Sequence, residues 1–332
     1  MLSFQGNVIW YFPGGIMNRV TARLLAGLLL VHAISGGAAG QTFDPARNAI
    51  EPIARIAYEP IGETSGLARS GGGTNLFWAL NDSLNPPDLF LIDRTGRCLA
   101  QVTVQGAENL DWEALASDGQ ATLYIGDIGN NIVKGGLPAR RVYWVREPDL
   151  AEVLTAPATQ PVRRELPVQG FCLYRFPEGP FDAEAMFARQ GRLYIVSKAG
   201  RGSTRLWQVD ISAPGQGRPL RMVCDLPDLH SVTDASLSPD GRRLALCSYE
   251  YVAIYDLDPR EPIETLGTRQ PTILSLVPPL HRPTTIEACC WSSNTELLLA
   301  GENRSIHAVR VPSPASQLSI PVDRRYSSHA HR

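Results

Sequence analysis

The sequence predicts an all-β fold, a single β-propeller, from three observations. One layout of residues recurs five times, reverse-turn chemistry falls inside the copies, and no long helical periodicity competes. The layout is an acidic residue beside small and apolar ones, a turn, and a hydrophobic strand ending in polar residues. Its copies run from Glu63 to Asp82, Asp111 to Asp127, Asp182 to Lys198, Thr233 to Tyr249, and Ile286 to Glu302. Anchored on Glu63, Glu113, Glu184, Asp234 and Glu287, the steps are 50, 71, 50 and 53 residues. A period of that size suits a blade of four short strands.

Each element then follows in order. Gly71-Gly72-Gly73, Gln190-Gly191 and Ser238-Pro239-Asp240-Gly241 fall where a first hairpin must reverse. Third strands are expected at 88–93, 141–145, 205–209 and 252–257, where β-branched or aromatic residues alternate with others. The last copy has only 305–311 after its second strand, so it lacks a fourth. Ile53 to Tyr58, ahead of the first copy, is expected to supply it and close the ring. The count favours five blades, and the 71-residue step leaves room for a sixth within 146–181.

The propeller is assigned to 41–312, with a polar tail at 313–332. Ahead of it, Met17 is the expected start. It is followed by Arg19 and Arg23, an apolar run from Leu24 to Ile34, and small residues to Gly40. That order is a signal peptide cleaved near Gly40, with 1–16 an upstream extension, and it predicts a secreted or periplasmic protein. The apolar run is shorter than the roughly 20 residues a membrane span needs.

Composition excludes other classes. The chain is 44% hydrophobic and 19% charged, with a formal net charge of -2, so no global field attracts nucleic acid or anionic membrane. Lys occurs only at Lys134 and Lys198, against many Arg. The six cysteines, 98, 172, 224, 247, 289 and 290, contain no C-x-x-C, and most are read as buried thiols acting as small hydrophobes. Their spacing and the scattered His residues do not suit zinc.

In a blade the start of the first strand and the end of the second share one face, so the repeat gathers its polar residues at one channel mouth. Hairpin pairing is expected to set Glu63 near Asn81 and Asp82, Glu113 near Asp127, Glu184 near Lys198, and Glu287 near Glu302, with Asp111, Asp182, Asp234 and Glu250 close by. The loop Asp127-Ile128-Gly129-Asn130-Asn131 joins the same mouth, Gly129 there being read as a φ > 0 position. Crowded carboxylates cannot all ionise cheaply; one takes a proton or a cation enters. The residues therefore point to calcium held by Glu63, Glu113, Asp127, Glu184, Asp234 and Glu287. Asn81, Asp82, Asn130, Asn131, Asp182, Lys198 and Glu302 are candidates for binding a ligand. Acid–base catalysis with one carboxyl kept protonated, and a structural role bonding blade to blade, stand as alternatives.

At Asp111-Trp112-Glu113, Asp127-Ile128-Gly129-Asn130-Asn131 and Asp182-Ala183-Glu184-Ala185 the chain resembles a group of exported bacterial propeller proteins that usually carry no assigned reaction. The likeness runs from about Glu63 to Tyr255 and includes Glu147-Pro148, Val232-Thr233-Asp234-Ala235 and Ser238-Pro239-Asp240-Gly241. More distantly it is similar to propellers described as phytase-like esterases and to calcium-dependent lactonases. That resemblance implies a propeller with a central ion held by channel-lining carboxylates and amides. It transfers no reaction, because one fold hosts many functions, and the basic cluster expected of a phytase is missing here.

The expected function is an extracytoplasmic propeller that binds a small molecule or extracellular polymer through a divalent metal. The rivals are a calcium-dependent hydrolase of a phosphoester, ester or lactone, with Glu113, Asp127 or Glu184 as base, and an interaction scaffold whose channel is inert.

Overall fold

The computed structural model describes residues 50–130, 140–157, 159–179, 181–200, 204–212, 217–276 and 285–311. The expected signal peptide and its Met17 start, Asn131, Lys134 and the C-terminal tail lie outside the described residues. No helix among the described residues is long and apolar enough to cross a membrane.

Five blades form a β-propeller. A first strand, β1 (Ile50–Arg55), stands ahead of them. Blade 1 is β2 (Thr64–Arg69), β3 (Leu76–Asn81), β4 (Asp88–Asp93) and β5 (Cys98–Gln105). Blade 2 begins with β6 (Trp112–Ser117), β7 (Thr122–Asp127) and β8 (Arg140–Arg146). A short helix, α1 (Ala151–Thr155), and two strands follow, β9 (Val162–Pro167) and β10 (Gly170–Arg175). Blade 3 holds β11 (Ala183–Arg189), β12 (Arg192–Ser197), β13 (Arg205–Val209) and β15 (Arg221–Asp225), while the intervening two-residue β14 (Arg218–Pro219) pairs in parallel with β10 at the edge of blade 2. Blade 4 is β16 (Val232–Leu237), β17 (Arg243–Ser248), β18 (Tyr251–Asp256) and β19 (Thr272–Ser275). Blade 5 is β20 (Ile286–Ser293), β21 (Glu296–Gly301) and β22 (Ser305–Arg310), completed by β1.

The innermost strands β2, β6, β11, β16 and β20 each pack on the next, and β20 packs on β2, which closes a five-membered ring. The room for a sixth blade is used otherwise. β9 leaves to pair in parallel with β5 as a fifth strand of blade 1, and β10 pairs antiparallel with β8 as the fourth strand of blade 2. Neither finds a hairpin partner of its own, so the long step thickens two blades instead of adding one. At the other end β1 pairs antiparallel with β22, from Ile50 opposite Val309 to Arg55 opposite Ser305, and supplies the strand that blade 5 lacks.

Stacking explains why the strands read as apolar runs instead of alternating ones. Inner and middle strands lie between two neighbouring blades, so both of their faces are buried and both must be apolar. β3 (LFWALN) and β17 (RLALCS) are buried at every position. Trp78, Trp112, Trp207 and Trp291 are fully buried between blades. Blades 1 and 2, for example, share Trp78, Leu80, Leu91, Trp112, Ile125 and Tyr143. All six cysteines are free thiols, and five of them are buried. Gly66 marks a close approach of two inner strands: a Cβ there would stand 2.7 Å from the backbone nitrogen of Leu115.

Without β1, blade 5 would expose the unpaired edge of β22, and Ile50 would leave the apolar cluster it shares with Trp291 and Val309. Deleting residues 50–55 is expected to lower the single melting transition of the whole domain by at least about 5 °C. Thermal unfolding followed by circular dichroism checks this; an unchanged transition would refute ring closure by β1.

Candidate metal centre at the channel mouth

The mouth is built from one backbone device used five times. In each blade the register between first and second strands slips by one residue near the mouth. The slip lies between Thr64 and Gly66, Trp112 and Ala114, Ala183 and Ala185, Val232 and Asp234, and Ile286 and Ala288. The extra residue of such a bulge escapes the ladder and its side chain is re-aimed. Those residues are Ser65, Glu113, Glu184, Thr233 and Glu287. A second set of equivalent positions follows the second strands. Asp82, Ile128, Lys198 and Glu302 donate their backbone N–H to the carbonyls of Glu63, Asp111, Asp182 and Thr285, at 2.8–3.1 Å. Tyr249 follows the second strand of blade 4.

All of these positions except Thr233 and Ile128 line a cavity of about 210 Å³ bounded by Glu63, Thr64, Ser65, Asp82, Glu113, Glu184, Lys198, Tyr249, Glu287 and Glu302. Of the residues expected there, the fold brings Glu63, Asp82, Glu113, Glu184, Lys198, Glu287 and Glu302 together. Asp82, Asp111 and Glu113 also present carboxylate oxygens all within 4.8 Å of one another. Asn109 fixes this junction of blades 1 and 2. Its side chain donates to the Asp82 carbonyl at 2.8 Å and accepts the Trp112 N–H at 3.1 Å. Ser65 donates its hydroxyl to Glu113 Oε2 at 2.9 Å. The other oxygen, Glu113 Oε1, is buried and has no hydrogen-bond partner among the described residues, on a side chain only 3% exposed.

Other expected site residues stand elsewhere. Asp234 is fully buried and accepts the backbone N–H groups of Cys289 and Ala235, both at 2.8 Å. It lies one residue past its bulge and so faces the neighbouring blade; Thr233 holds the position equivalent to Glu113. Asp127 accepts the Asp111 N–H at 2.7 Å and pairs with the Arg141 guanidinium at 3.2 Å. It braces the base of the hairpin and does not line the cavity. Asn81 donates to the Pro60 carbonyl at 2.7 Å, and Asn130 accepts from Arg140. Asp182 accepts the Lys198 N–H through its carbonyl and is not among the residues that line the cavity. Gly129 does not have positive φ; its need is space, since a Cβ there would come within 2.6 Å of Glu113 Oε1 and 2.5 Å of Asp111 Cγ.

The sequence reading missed Ser65, Asn109, Tyr249 and the buried Arg140, whose guanidinium stands near Asp111, Asp182 and Asp127. One signal could have found the bulge positions: a small residue follows four of them, as Gly66, Ala114, Ala185 and Ala288.

Burial first, and then crowding, set the charge states. Burial, reinforced by Glu184, Asp82 and Asp111, pushes the Glu113 carboxyl far above the usual carboxylate range. Burial, then Glu184, raises Glu287 to about 8. Burial raises Glu184 as well, against the opposing pull of Lys198. Burial alone would lower Lys198, but the adjoining Glu184 carboxylate overrides it and keeps the ammonium protonated. A cation-free mouth therefore holds protons at neutral pH, and a divalent cation would replace them.

No protein-family model and no curated protein matches the chain. Among solved structures it is similar to a catalytically inactive virginiamycin B lyase from Staphylococcus aureus with quinupristin. The identity is 10% over 75% of this chain and 66% of that chain, with a TM-score of 0.38. The chain thus spans just under two thirds of the lyase. It is also similar to the PQQ-bound aldose sugar dehydrogenase of Streptomyces coelicolor, at 10% identity over 81% of this chain and 99% of that one, with a TM-score of 0.42. The chemistry of the mouth rests on this chain's own residues.

The raised carboxyls give pH dependence a definite sign. Glu287 has a folded value of about 8 against an ordinary 4.5. Its protonated form stabilises the fold fully below the ordinary value, and that contribution is lost as pH rises through about 8. The melting temperature of chelator-treated protein is expected to fall from about pH 5 to about pH 9, and Glu287→Gln to flatten the fall. A pH series of melting curves measures it; a rise over that interval would contradict the assignment.

Proposed function

We propose that the acidic mouth binds a divalent cation, calcium, through Asp82, Asp111 and Glu113, and uses it to hold a small, oxygen-rich ligand in the cavity. The observation that carries this reading is Glu113 Oε1, a buried carboxylate oxygen without a hydrogen-bond partner among the described residues, set within ligand distance of two further carboxylates. Leaving such an atom unpaired costs about 1–3 kcal/mol or more, and a cation removes the cost. An all-oxygen set of carboxylates is the donor chemistry of a hard ion, with coordination positions left for the ligand. Export, expected from residues 17–40, supports calcium, since extracellular sites operate at about 10⁻⁴–10⁻³ M.

The ligand class follows from the walls. They are rich in acceptors, and Tyr249 supplies the only sizeable apolar surface among the lining residues. Such a wall pairs with a molecule that donates many hydrogen bonds, as a polyhydroxylated small molecule or the end of an extracellular polysaccharide does. A second reading, hydrolysis of an ester, lactone or phosphoester, is favoured by Glu287. Its value of about 8 in the same cavity suits a general acid at neutral pH, with the cation acting as Lewis acid.

Calcium is expected to raise the melting temperature of chelator-treated protein, by about 2.7 kcal/mol of stabilisation at a hundredfold excess over Kd. Asp111→Asn with Glu113→Gln is expected to abolish that response and to leave the metal-free protein equally or more stable, since repulsion is relieved. Calorimetric titration gives the check: neither heat nor a melting shift at millimolar calcium would end the cation reading.

A further inference from the structure

The 71-residue step that thickens blades 1 and 2 also builds a second cavity. Because β9 pairs with β5, the residues just ahead of it, 159–161, come to lie beside the hairpin between β4 and β5 and the end of the closing strand β1. Together these three segments bound a space of about 300 Å³ on the flank where blade 5 meets blade 1. It shares no lining residue with the mouth cavity. The junction around it is clamped. Arg94 of the hairpin forms an ion pair with Glu296 of blade 5. Gly96, at φ +80°, lies so close to β1 that a Cβ there would stand 2.5 Å from the Arg55 carbonyl oxygen. The end of β1 and the hairpin are therefore held in a fixed relation.

Charge is sorted oppositely in the two cavities. Six carboxylates and one ammonium line the mouth, whereas Arg55 and Arg97 line the flank cavity with no Asp or Glu. The Arg55 guanidinium has no hydrogen bond or ion pair among the described residues. Arg97 engages Asp93 through Nε at 3.2 Å, which leaves its two Nη groups for a ligand. A third guanidinium stands beside the wall: Arg163 Nη2, on β9, donates to the hydroxyl of the lining residue Tyr58 at 3.3 Å. Burial pushes the Cys98 thiol in the same wall up to about 12, so it carries no negative charge to oppose them. Thr159 and Gln160 add a hydroxyl and an amide to the lining.

We propose that the flank cavity binds a phosphate or sulfate group carried by a small ester, with Arg55 and Arg97 as its principal donors. Guanidinium groups present planar forks of N–H donors that match an oxyanion, and charge-assisted bonds of this kind are the strong ones. A concave wall of one sign concentrates the field that draws the anion in. At about 300 Å³ the space exceeds a bare oxyanion and reaches the size of small-molecule pockets. A ligand there touches β1 and blade 1 together, so its binding stabilises the closed ring. The site is independent of any cation at the mouth.

Calorimetric titration and melting curves test this on chelator-treated, dialysed protein at constant ionic strength. The probes are inorganic phosphate, inorganic sulfate and glycerol 3-phosphate, with glycerol as the neutral control. The three anions are expected to bind and to raise the melting temperature, glycerol to do neither, and the ester to bind more tightly than either ion. Arg55→Gln and Arg97→Gln are each expected to weaken binding at least about tenfold. Arg97→Gln also removes the Asp93 contact; if it does not fold, Arg55→Gln decides, because it removes no hydrogen bond or ion pair among the described residues. Neither heat nor a melting shift with any anion at millimolar concentration, or unchanged binding in Arg55→Gln, would overturn the proposal. Tighter binding of inorganic phosphate than of glycerol 3-phosphate would overturn the ester as the source of the group.

Discussion

Each innermost strand departs from the ladder by one residue at its mouth end, and most of what is particular to this propeller depends on that slip. A regular strand would point alternate side chains into the two neighbouring blades, where apolar groups, or polar ones with hydrogen-bond partners, are tolerated. The bulge frees one residue per blade from that rule, and in three blades the residue is a glutamate: Glu113, Glu184 and Glu287. The backbone thus creates five equivalent bulge positions. The chain fills them unequally, with Ser65 and Thr233 in the other two.

Inequality is what turns a symmetric ring into a site. Among the described residues the trio of Asp82, Asp111 and Glu113 arises where blades 1 and 2 meet, because elsewhere the position after the second strand is Ile128, Lys198 or Tyr249, and beyond Glu302 the next bulge holds Ser65. Ser65 satisfies one oxygen of Glu113 and leaves the other facing its neighbours. Across the cavity, Lys198 satisfies Glu184 with an ion pair and donates to the Tyr249 hydroxyl. Gly129 must be glycine because its backbone lies against the Asp111 and Glu113 carboxylates. The one cationic side chain among the lining residues, Lys198, thus sits against Glu184.

The buried charges outside the cavity show how the rest of the ring tolerates such a mouth. Asp234 spends its carboxylate on two backbone N–H groups, one of them across the blade boundary, and so ties blade 4 to blade 5. Asp127 ties the blade 2 hairpin to Arg141 and to the entry of its own blade. Both are acidic residues of the same repeat, yet each has partners that account for it. Their role is to satisfy polar backbone in a water-poor place.

The sequence by itself determined the propeller, its hairpins, the closing strand and the gathering of acidic residues at one mouth. These follow from local pattern: apolar runs of strand length, turn residues between them, and polar residues at strand ends. Only the tertiary structure decided which acidic residues enter the cavity. Side chains on a strand alternate with a period of two, so a one-residue bulge reverses the facing of its neighbours. That reversal sends Asp234 into a blade interface and gives Thr233 the bulge position equivalent to Glu113, a difference of one position that no local pattern displays. Nor could local pattern show that residues 162–175 join two existing blades, because strand partners far apart in the chain are chosen by which edges the ring leaves open.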